Sequence, residues 1–406
     1  MSDMVKKEIS DLINKSFKKQ YVSTSTLDIL PLLNSHNIFG NLYSVKVEST
    51  NIKNKQTLLN VIVKLAPKEK QYRNNVFIRC LYENEICMYN NIIPEFVNFQ
   101  QEKNIEPLFQ PFAKIYGSSL EEFGESLVLE DLVKQGYSLG SYKEPVKYSV
   151  AIFVMEELGK LHALSYAIRD QKPTVFNKLK NQCSMSYFLR PEIFNNILGI
   201  TKNLSEQLIN TFSTEHAFAL ATLKESITNA SELFSDILKV SFEEYGVLNH
   251  GDHQLRNLFF QYEDLHFEKP TKLCIIDWQL AHFTSPAWDL LYFIYISTDK
   301  NFRDHYYKDL LQTYYNSLSN YTNKLGADVN KIIPFEILLS DLKTLAPFIL
   351  YAILPLISQN SQDLESLRFN IAYEKDTVKM FTPSINSACI LRIQETILDY
   401  IKHGYL

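Results

Sequence analysis

Glycine is scarce in this chain, with 11 in 406 residues against an ordinary share of about 7%. A glycine that does occur in a turn, such as Gly251, is therefore expected to mark a backbone conformation that other residues resist. Five cysteines, an odd number without a paired CxxC spacing, speak against a zinc site and for free thiols in a reducing compartment. The first residues, MSDMVKKEISDLINKSF, lack the apolar core of a signal peptide. The longest apolar run, from Pro347 to Ile357, is well short of the roughly 20 residues a membrane span needs. A formal charge of -5 without a polybasic block favours neither nucleic acid nor an anionic membrane as partner. Repeats and low-complexity tracts are absent as well. A cytoplasmic protein is expected, long enough for two or three ordinary domains or one two-lobed enzyme.

What the chain does have is concentrated between Val247 and Leu291, VLNHGDHQLRNLFFQYEDLHFEKPTKLCIIDWQLAHFTSPAWDLL. An acid on a tight turn (Asp252, after His250 and Gly251) is followed five residues on by an amide (Asn257), and a second acid (Asp277) closes an apolar run. Phosphoryl transfer needs those three groups. One carboxylate orients or takes the proton of the attacking hydroxyl, while an amide oxygen and a second carboxylate hold magnesium against the β- and γ-phosphates. Asp-x4-Asn is the spacing of a kinase catalytic loop. The short apolar runs Leu258 to Phe260 and Leu273 to Ile276, split by the polar QYEDLHFEKPTK, read as a hairpin. Asp252 and Asn257 then leave one end of a small sheet, with Asp277 at the end of its returning strand.

Residues 1–33 read as helical, from Val5, Ile9, Leu12 and Ile13 and then Leu27, Leu30 and Leu33. NLYSVKVES and LLNVIVKL are alternating runs and predict an antiparallel hairpin that carries Lys64 near its end. A helix over about Asn75 to Asn91 puts Tyr82, Glu85, Ile86 and Tyr89 on one face. Glu85 is then an acid on an apolar side, which calls for a partner, and Lys64 is the nearest candidate. Pro111 to Gly117 and Ser126 to Leu129 complete a sheet of about five strands. The connector EDLVKQG after it is either a plain linker or the place where backbone groups meet a nucleotide base. Pro145 to Arg169 predicts a long helix, with His162 as a core histidine on its inner face. Further helices follow, one starting at Asn203-Leu204-Ser205 and one over Trp288 to Ile296 with Asp289 near its start, with breaks at Pro334, Pro347, Pro355 and Pro383.

The series VIVKLAP, LYENEICMYNNIIPEF, LVLEDL, LGKLHALS, LNHGDHQLRNLFF, IIDWQ, SPAWDLLYF and LRIQETILDYIKHGYL resembles the ecdysteroid kinase-like (choline/ethanolamine-kinase-like) family of the protein-kinase-like superfamily, in that family's order and over nearly the whole chain. The resemblance implies a bilobal kinase fold, ATP with Mg2+, and transfer of the γ-phosphoryl group to a hydroxyl of a small molecule. By motif position it makes Asp252 the catalytic base and Asn257 and Asp277 the metal ligands. It places Lys64 on the α/β-phosphates with Glu85 holding it, and the backbone of Glu130 and Leu132 on the adenine. Two positions depart from the family pattern. The nucleotide loop NSHNIFGN has Ser35 before Asn37 and keeps only Gly40, and His253-Gln254 stands where the family commonly has an aliphatic-aromatic pair.

The expectation is thus an α+β two-lobed fold, a nucleotide-binding lobe over residues 1–131 and a catalytic and acceptor-binding lobe over 132–406. The expected function is an ATP-dependent kinase acting on an ecdysteroid-like or other hydroxylated metabolite. A choline- or aminoglycoside-type kinase is the alternative, and it requires acids or an aromatic cage around a cationic acceptor. A pseudokinase that only binds a partner is the non-enzymatic alternative; Lys64, Glu85, Asp252, Asn257 and Asp277 together count against it. A protein kinase is disfavoured because IIDWQ passes within about ten residues to Trp288-Asp289, without room for an activation loop and peptide-docking segment. The acceptor pocket is expected from helices between Gln171 and Glu244 and beyond Leu291.

Overall fold

The computed structural model describes residues 1–18, 21, 23–32, 39–50, 55–141, 146–183, 187–209, 211–239, 246–360, 376, 378–379, 382 and 385–406. Its N-terminal part is an antiparallel sheet of β1 (Ser23–Pro31), β2 (Asn41–Thr50), β3 (Gln56–Leu65), β4 (Ile115–Ser119) and β5 (Ser126–Glu130) in the order β1-β2-β3-β5-β4. Alternation along β2 and β3 turns Val45, Val47, Val61 and Val63 to one face. Against them α1 (Asp3–Phe17), capped by Ser2, buries Ile9, Leu12, Ile13 and Phe17. This makes a small separate core.

The helical reading of residues 1–33 holds only for α1. Residues 23–31 are an edge strand paired with β2, and a bulge between Thr26 and Asp28 leaves Leu27 out of register. That extra residue turns a period of two into the three-residue spacing of Leu27 and Leu30, which are exposed. Leu33, Ser35 and Asn37 lie outside the described residues.

On the other face of the sheet the helix expected over Asn75 to Asn91 is divided. Phe77 at φ 53° separates α2 (Lys70–Asn75) from α3 (Ile78–Cys87). A π-helical turn over Met88–Ile92 then leads into α4 (Ile93–Glu102), where Pro94 has no N–H for a regular i→i−4 bond. The strand expected from Pro111 begins only at Ile115. Pro111 and Phe112 pair instead with Ile275, through Ile275 N donating to Pro111 O at 2.8 Å. This stitches the first sheet to a second.

That second sheet consists of β6 (Ser138–Leu139), β8 (Leu258–Tyr262) and β9 (Pro270–Ile275), and β8 and β9 form the expected hairpin. Just before them, β7 (Val247–Asn249) pairs with β10 (His282–Thr284). Helices make up the remainder: α5 (Tyr148–Gln171), α6 (Pro173–Gln182), α7 (Pro191–Gln207), α8 (Ala217–Thr228), α9 (Ala230–Lys239), α10 (Ala287–Ser297), α11 (Lys300–Lys324), α12 (Val329–Ile332), α13 (Phe335–Asn360) and α14 (Ser387–Lys402). The chain is α+β, a sheet-rich N-terminal part followed by a mainly helical one, as expected. A continuous core runs from Tyr82 and Ile86 of α3 through α5 and α10 to α13. Apolar all round but for Asp289 and its terminal Ser297, α10 is buried on every side.

Two helix boundaries differ from the sequence expectation. Asn203-Leu204-Ser205 lies inside α7, which starts at Pro191, a residue suited to a first helical turn. Pro347 and Pro355 do not break α13. A proline at 355 deprives the Tyr351 carbonyl of its i+4 donor, and the Thr201 hydroxyl of α7 stands 3.1 Å from that oxygen in its place. By length and composition Phe335–Gln359 could cross a membrane, but 61% of its apolar window is buried in the protein. Pro334 precedes α13 as expected, and Pro383 lies outside the described residues.

Candidate active site

Lys64 sits near the end of β3, where the strand passes under α3, and it is 3% exposed. Its Nζ donates to Glu85 Oε2 at 2.7 Å, to Asp277 Oδ1 at 2.5 Å and to Gln279 Oε1 at 3.1 Å. Glu85 comes from α3, on the face predicted by its three- and four-residue spacing, and is 1% exposed. Burial works against the charge on Lys64, but the carboxylates of Asp277 and Glu85 outweigh it and keep the ammonium protonated. Burial raises Glu85 above the usual carboxylate range despite Lys64, and Asp277 adds to the rise. One cation thus neutralises only one of two acids. Gly40 packs directly over this cluster: a Cβ there would lie 2.6 Å from the Tyr82 hydroxyl and 3.2 Å from Cγ of Lys64.

Asp277 follows β9 at φ 66° and ψ 51°, left-handed for a non-glycine residue, a conformation that costs roughly 1–3 kcal/mol and clusters at functional sites. The neighbouring Ile276 amide donates to the Asn257 carbonyl at 3.0 Å, so Asn257 and Asp277 leave adjacent strand ends of the β8–β9 hairpin.

Asp252 is held from several directions. Asn257 Nδ2 donates to its Oδ2 and to its main-chain oxygen, both at 2.9 Å, and Gln254 Nε2 donates to its Oδ1 at 2.5 Å. The Tyr292 hydroxyl is a further hydrogen-bonding neighbour of the same carboxyl. Burial pushes the Asp252 carboxyl up to about 6, against the pull of the nearby basic groups His250 and Arg256. The Asp252 amide donates to His250 Nδ1 at 3.2 Å, so that His250 Nε2–H points to the Ile276 carbonyl at 2.8 Å.

The loop's backbone is fixed by Asp289, at the first turn of α10. It is fully buried and accepts from His250 N at 2.6 Å and Gly251 N at 2.9 Å, while Trp288 Nε1 donates to Gly251 O at 3.1 Å. Burial would raise the Asp289 carboxyl, but interactions led by the His162 side chain, whose Nε2 lies 3.5 Å from Oδ2, overcome this and hold it well below the usual range. Gly251 has φ 84°, and a Cβ there would fall 2.1 Å from the Leu280 carbonyl oxygen. The unusual conformation expected at this glycine is present. His162 is fully buried with Nδ1 2.8 Å from the Tyr314 hydroxyl, a core histidine as expected. The departure at 253 has a packing role: burial drives the His253 imidazole down to about 3, so a neutral ring packs beside Phe293 where the family has an aliphatic residue.

Glu130 ends β5, and its side chain caps the Lys114 amide at 2.6 Å. Asp131 then accepts from Val133 N at 3.1 Å and from Ser44 Oγ at 3.2 Å. The Leu132 carbonyl takes the amides of Gln135 and Tyr137, both at 3.0 Å, so its two lone pairs are engaged and the Leu132 N–H is the group left to meet a ligand.

All seven residues singled out in the sequence, Lys64, Glu85, Glu130, Leu132, Asp252, Asn257 and Asp277, line one cavity of about 1040 Å³. The cavity continues between two helices. From α7 it takes Ile193, Asn196, Ile197 and Ile200, and from α13 Ala352, Pro355, Leu356 and Gln359. Each set follows i, i+3, i+4, i+7, one helix face. Gln279, Gln254, Tyr292 and Asp289 carry contacts that sequence reading did not assign. An acid near the start of the otherwise apolar WDLLYFIYI was the available signal for Asp289.

As a magnesium site the donors fit. Asn257 Nδ2 is committed to Asp252, which leaves its Oδ1, and Lys64 engages one oxygen of Asp277, which leaves the other. Such hard oxygens in small number suit Mg2+ completed by phosphates and water. Among the described residues there is no group of three or more His, Cys, Asp or Glu that suits a metal by itself.

No curated protein sequence matches the chain. Among solved structures, an ethanolamine kinase of Plasmodium vivax aligns over 98% of this chain and 87% of its own, at 12% identity and a TM-score of 0.42. The family profile described as ecdysteroid kinase-like matches residues 34–327, a span from before β2 to beyond α11 that takes in every residue of the cavity's charged cluster, and by that match the chain belongs to the ecdysteroid kinase-like family.

Proposed function

We propose that this protein is an ATP-dependent phosphotransferase that moves the γ-phosphoryl group to a hydroxyl of an ecdysteroid-like or other largely apolar metabolite. The observation that carries the reading is the single cavity that joins Lys64, Asn257 and Asp277 to Asp252 and then to the apolar faces of α7 and α13. The N–H of Leu132 and the backbone of Glu130 receive the adenine, at the boundary near Asp131 between a nucleotide-binding lobe and a catalytic and acceptor-binding lobe. Lys64 leaves Asp277 to contact the α- and β-phosphates while Glu85 keeps hold of it. Mg2+, when bound through Asn257 Oδ1 and Asp277, neutralises charge on the phosphate oxygens.

Asp252 supplies the proton acceptor. Its carboxylate orients the acceptor hydroxyl in line with the γ-phosphorus and takes its proton as the new O–P bond forms and the bond to the leaving ADP oxygen breaks. Enclosure by α7 and α13 keeps water from competing. The acids among the lining residues, Glu85, Glu130, Asp131, Asp252 and Asp277, all belong to the nucleotide and base machinery. Among the described residues the α7 and α13 faces add only two amides to an apolar wall, so a choline- or aminoglycoside-type cation would have to rely on the lining aromatics Tyr187, Phe188 and Tyr292 rather than on a dedicated counter-charge. Five free thiols support a reducing, cytoplasmic setting. ATP-dependent phosphate incorporation, measured across ecdysteroids, other hydroxylated metabolites, choline and ethanolamine, tests the proposal. Incorporation confined to the cationic alcohols would reject the acceptor class, and none into any of them would reject the activity.

A further inference from the structure

The second departure from the family pattern, Gln254, is 2% exposed and has extended backbone angles of φ −140° and ψ 160°. It sits at the cap position of the short 3-10 turn Leu255–Asn257, but its side chain makes no capping bond to that turn. Its carbonyl serves the turn instead, accepting from Asn257 N at 2.9 Å. The side-chain amide is turned to Asp252, where Nε2 meets Oδ1 at 2.5 Å. Asn257 holds Oδ2. Each oxygen of the Asp252 carboxylate is therefore engaged by an amide N–H from the same loop.

A carboxylate oxygen has two lone-pair directions. With Gln254 on one of those at Oδ1, only the other can face an incoming hydroxyl, and rotation of the carboxylate about its Cβ–Cγ bond would break two hydrogen bonds at once. We infer that Gln254 is a positioning residue for this chain's reaction: it locks the Asp252 carboxylate with one lone pair of Oδ1 aimed at the acceptor hydroxyl. A side chain without a donor at this position has to leave that aim to Asn257, which is also a candidate metal ligand, and to the Tyr292 hydroxyl. Gln254 also lines the cavity, so the amide holding the base sits within reach of the acceptor. The inference rests on the proposed kinase activity.

A double-mutant cycle on turnover tests it, with Gln254→Met, Asp252→Asn and the pair, each on the full chain with saturating ATP, Mg2+ and the best acceptor from the screen. Gln254→Met keeps the volume and removes the donor. Its kcat should fall about tenfold, the scale of one hydrogen bond between groups acting in the transition state, with ATP affinity unchanged and acceptor KM within about twofold to threefold. In the Asp252→Asn background the same substitution should have no further effect, because there is no base left to aim. A structural role would not produce that dependence. Should Gln254→Met melt well below the wild type, Gln254→Ala replaces it in the cycle. A kcat within about twofold of wild type, or an equal loss in both backgrounds, overturns the inference while leaving the kinase reading intact. Wild-type protein without Asp252-dependent turnover on any acceptor overturns the kinase reading, and the role of Gln254 falls with it.

Discussion

Nζ of Lys64 lies 2.5 Å from Oδ1 of Asp277, which ties β3 to the strand end beyond β9 across 213 positions of chain. The same ammonium holds Glu85, so the cluster contains one cation and two carboxylates and carries an excess negative charge. In the proposed kinase, a divalent cation would relieve that excess and free Lys64 to turn to phosphate.

Lys64 and Glu85 are 3% and 1% exposed. Removing one leaves the other as a buried, partly unpaired charge, at a cost on the order of 3 kcal/mol. Lys64→Met and Glu85→Gln should each weaken ATP binding and lower the melting temperature, and the double mutant should lose much less than the sum. Calorimetric titration and thermal melting of the three variants decide it; additive losses would show that the pair does not act as a unit.

ATP affinity should depend strongly on magnesium in the wild type and hardly at all in Asp277→Ala, whose cluster lacks the carboxylate that faces the phosphates. Titrations with and without magnesium measure both. Equal wild-type affinity in the two conditions would contradict the assignment of Asn257 and Asp277 as ligands.

Asp252→Asn keeps the shape of the base and removes its charge. Turnover should fall by about two to four orders of magnitude, with ATP affinity nearly unchanged. Burial raises the wild-type carboxyl to about 6, and the base works only when deprotonated. Turnover should therefore decline as pH is lowered through that region and level off above it, and the residual activity of the asparagine variant should lack this limb. Near-normal turnover in a folded Asp252→Asn protein would remove the catalytic role.

Asp289→Ala strips acceptors from two buried backbone amides, His250 N and Gly251 N. A loss of about 3–5 kcal/mol is expected. The folded carboxyl lies below its ordinary value of 3.8, so its stabilising contribution is fully present above that value and is lost as pH falls below it. Wild-type stability should drop steeply there, and the drop should be shallower in Asp289→Ala. Parallel melting curves of wild type and variant from neutral to acid pH would show otherwise.

The charged half of the cavity was legible in the sequence because each residue stands at a local landmark. Lys64 ends an alternating run, Glu85 interrupts an apolar helix face, and Asp252, Asn257 and Asp277 sit at the tips of one hairpin. Pairing of β8 with β9 suffices to bring Asn257 and Asp277 together, whereas their meeting with Lys64 and Glu85 needs the two sheets to pack. The edge strand β1 was not legible, since the bulge at Leu27 imitates a helical spacing and the pairing with β2 that decides the matter is not local. Gln254 was visible as a departure without a stated role, because its contact depends on a side-chain direction that spacing does not encode. The faces of α7 and α13 carry ordinary core patterning, and only tertiary packing makes them walls of a cavity.

The Thr201 hydroxyl that stands in for the donor missing at Pro355 has a consequence for selectivity. It also lies 3.0 Å from its own helix's Ile197 carbonyl, so the two carbonyls, one from each wall, share the single proton of this hydroxyl. The two walls are thereby tied at this level through one short, buried side chain. In the proposed kinase, an acceptor too wide for the space between α7 and α13 would have to break that buried hydrogen bond before it reached Asp252.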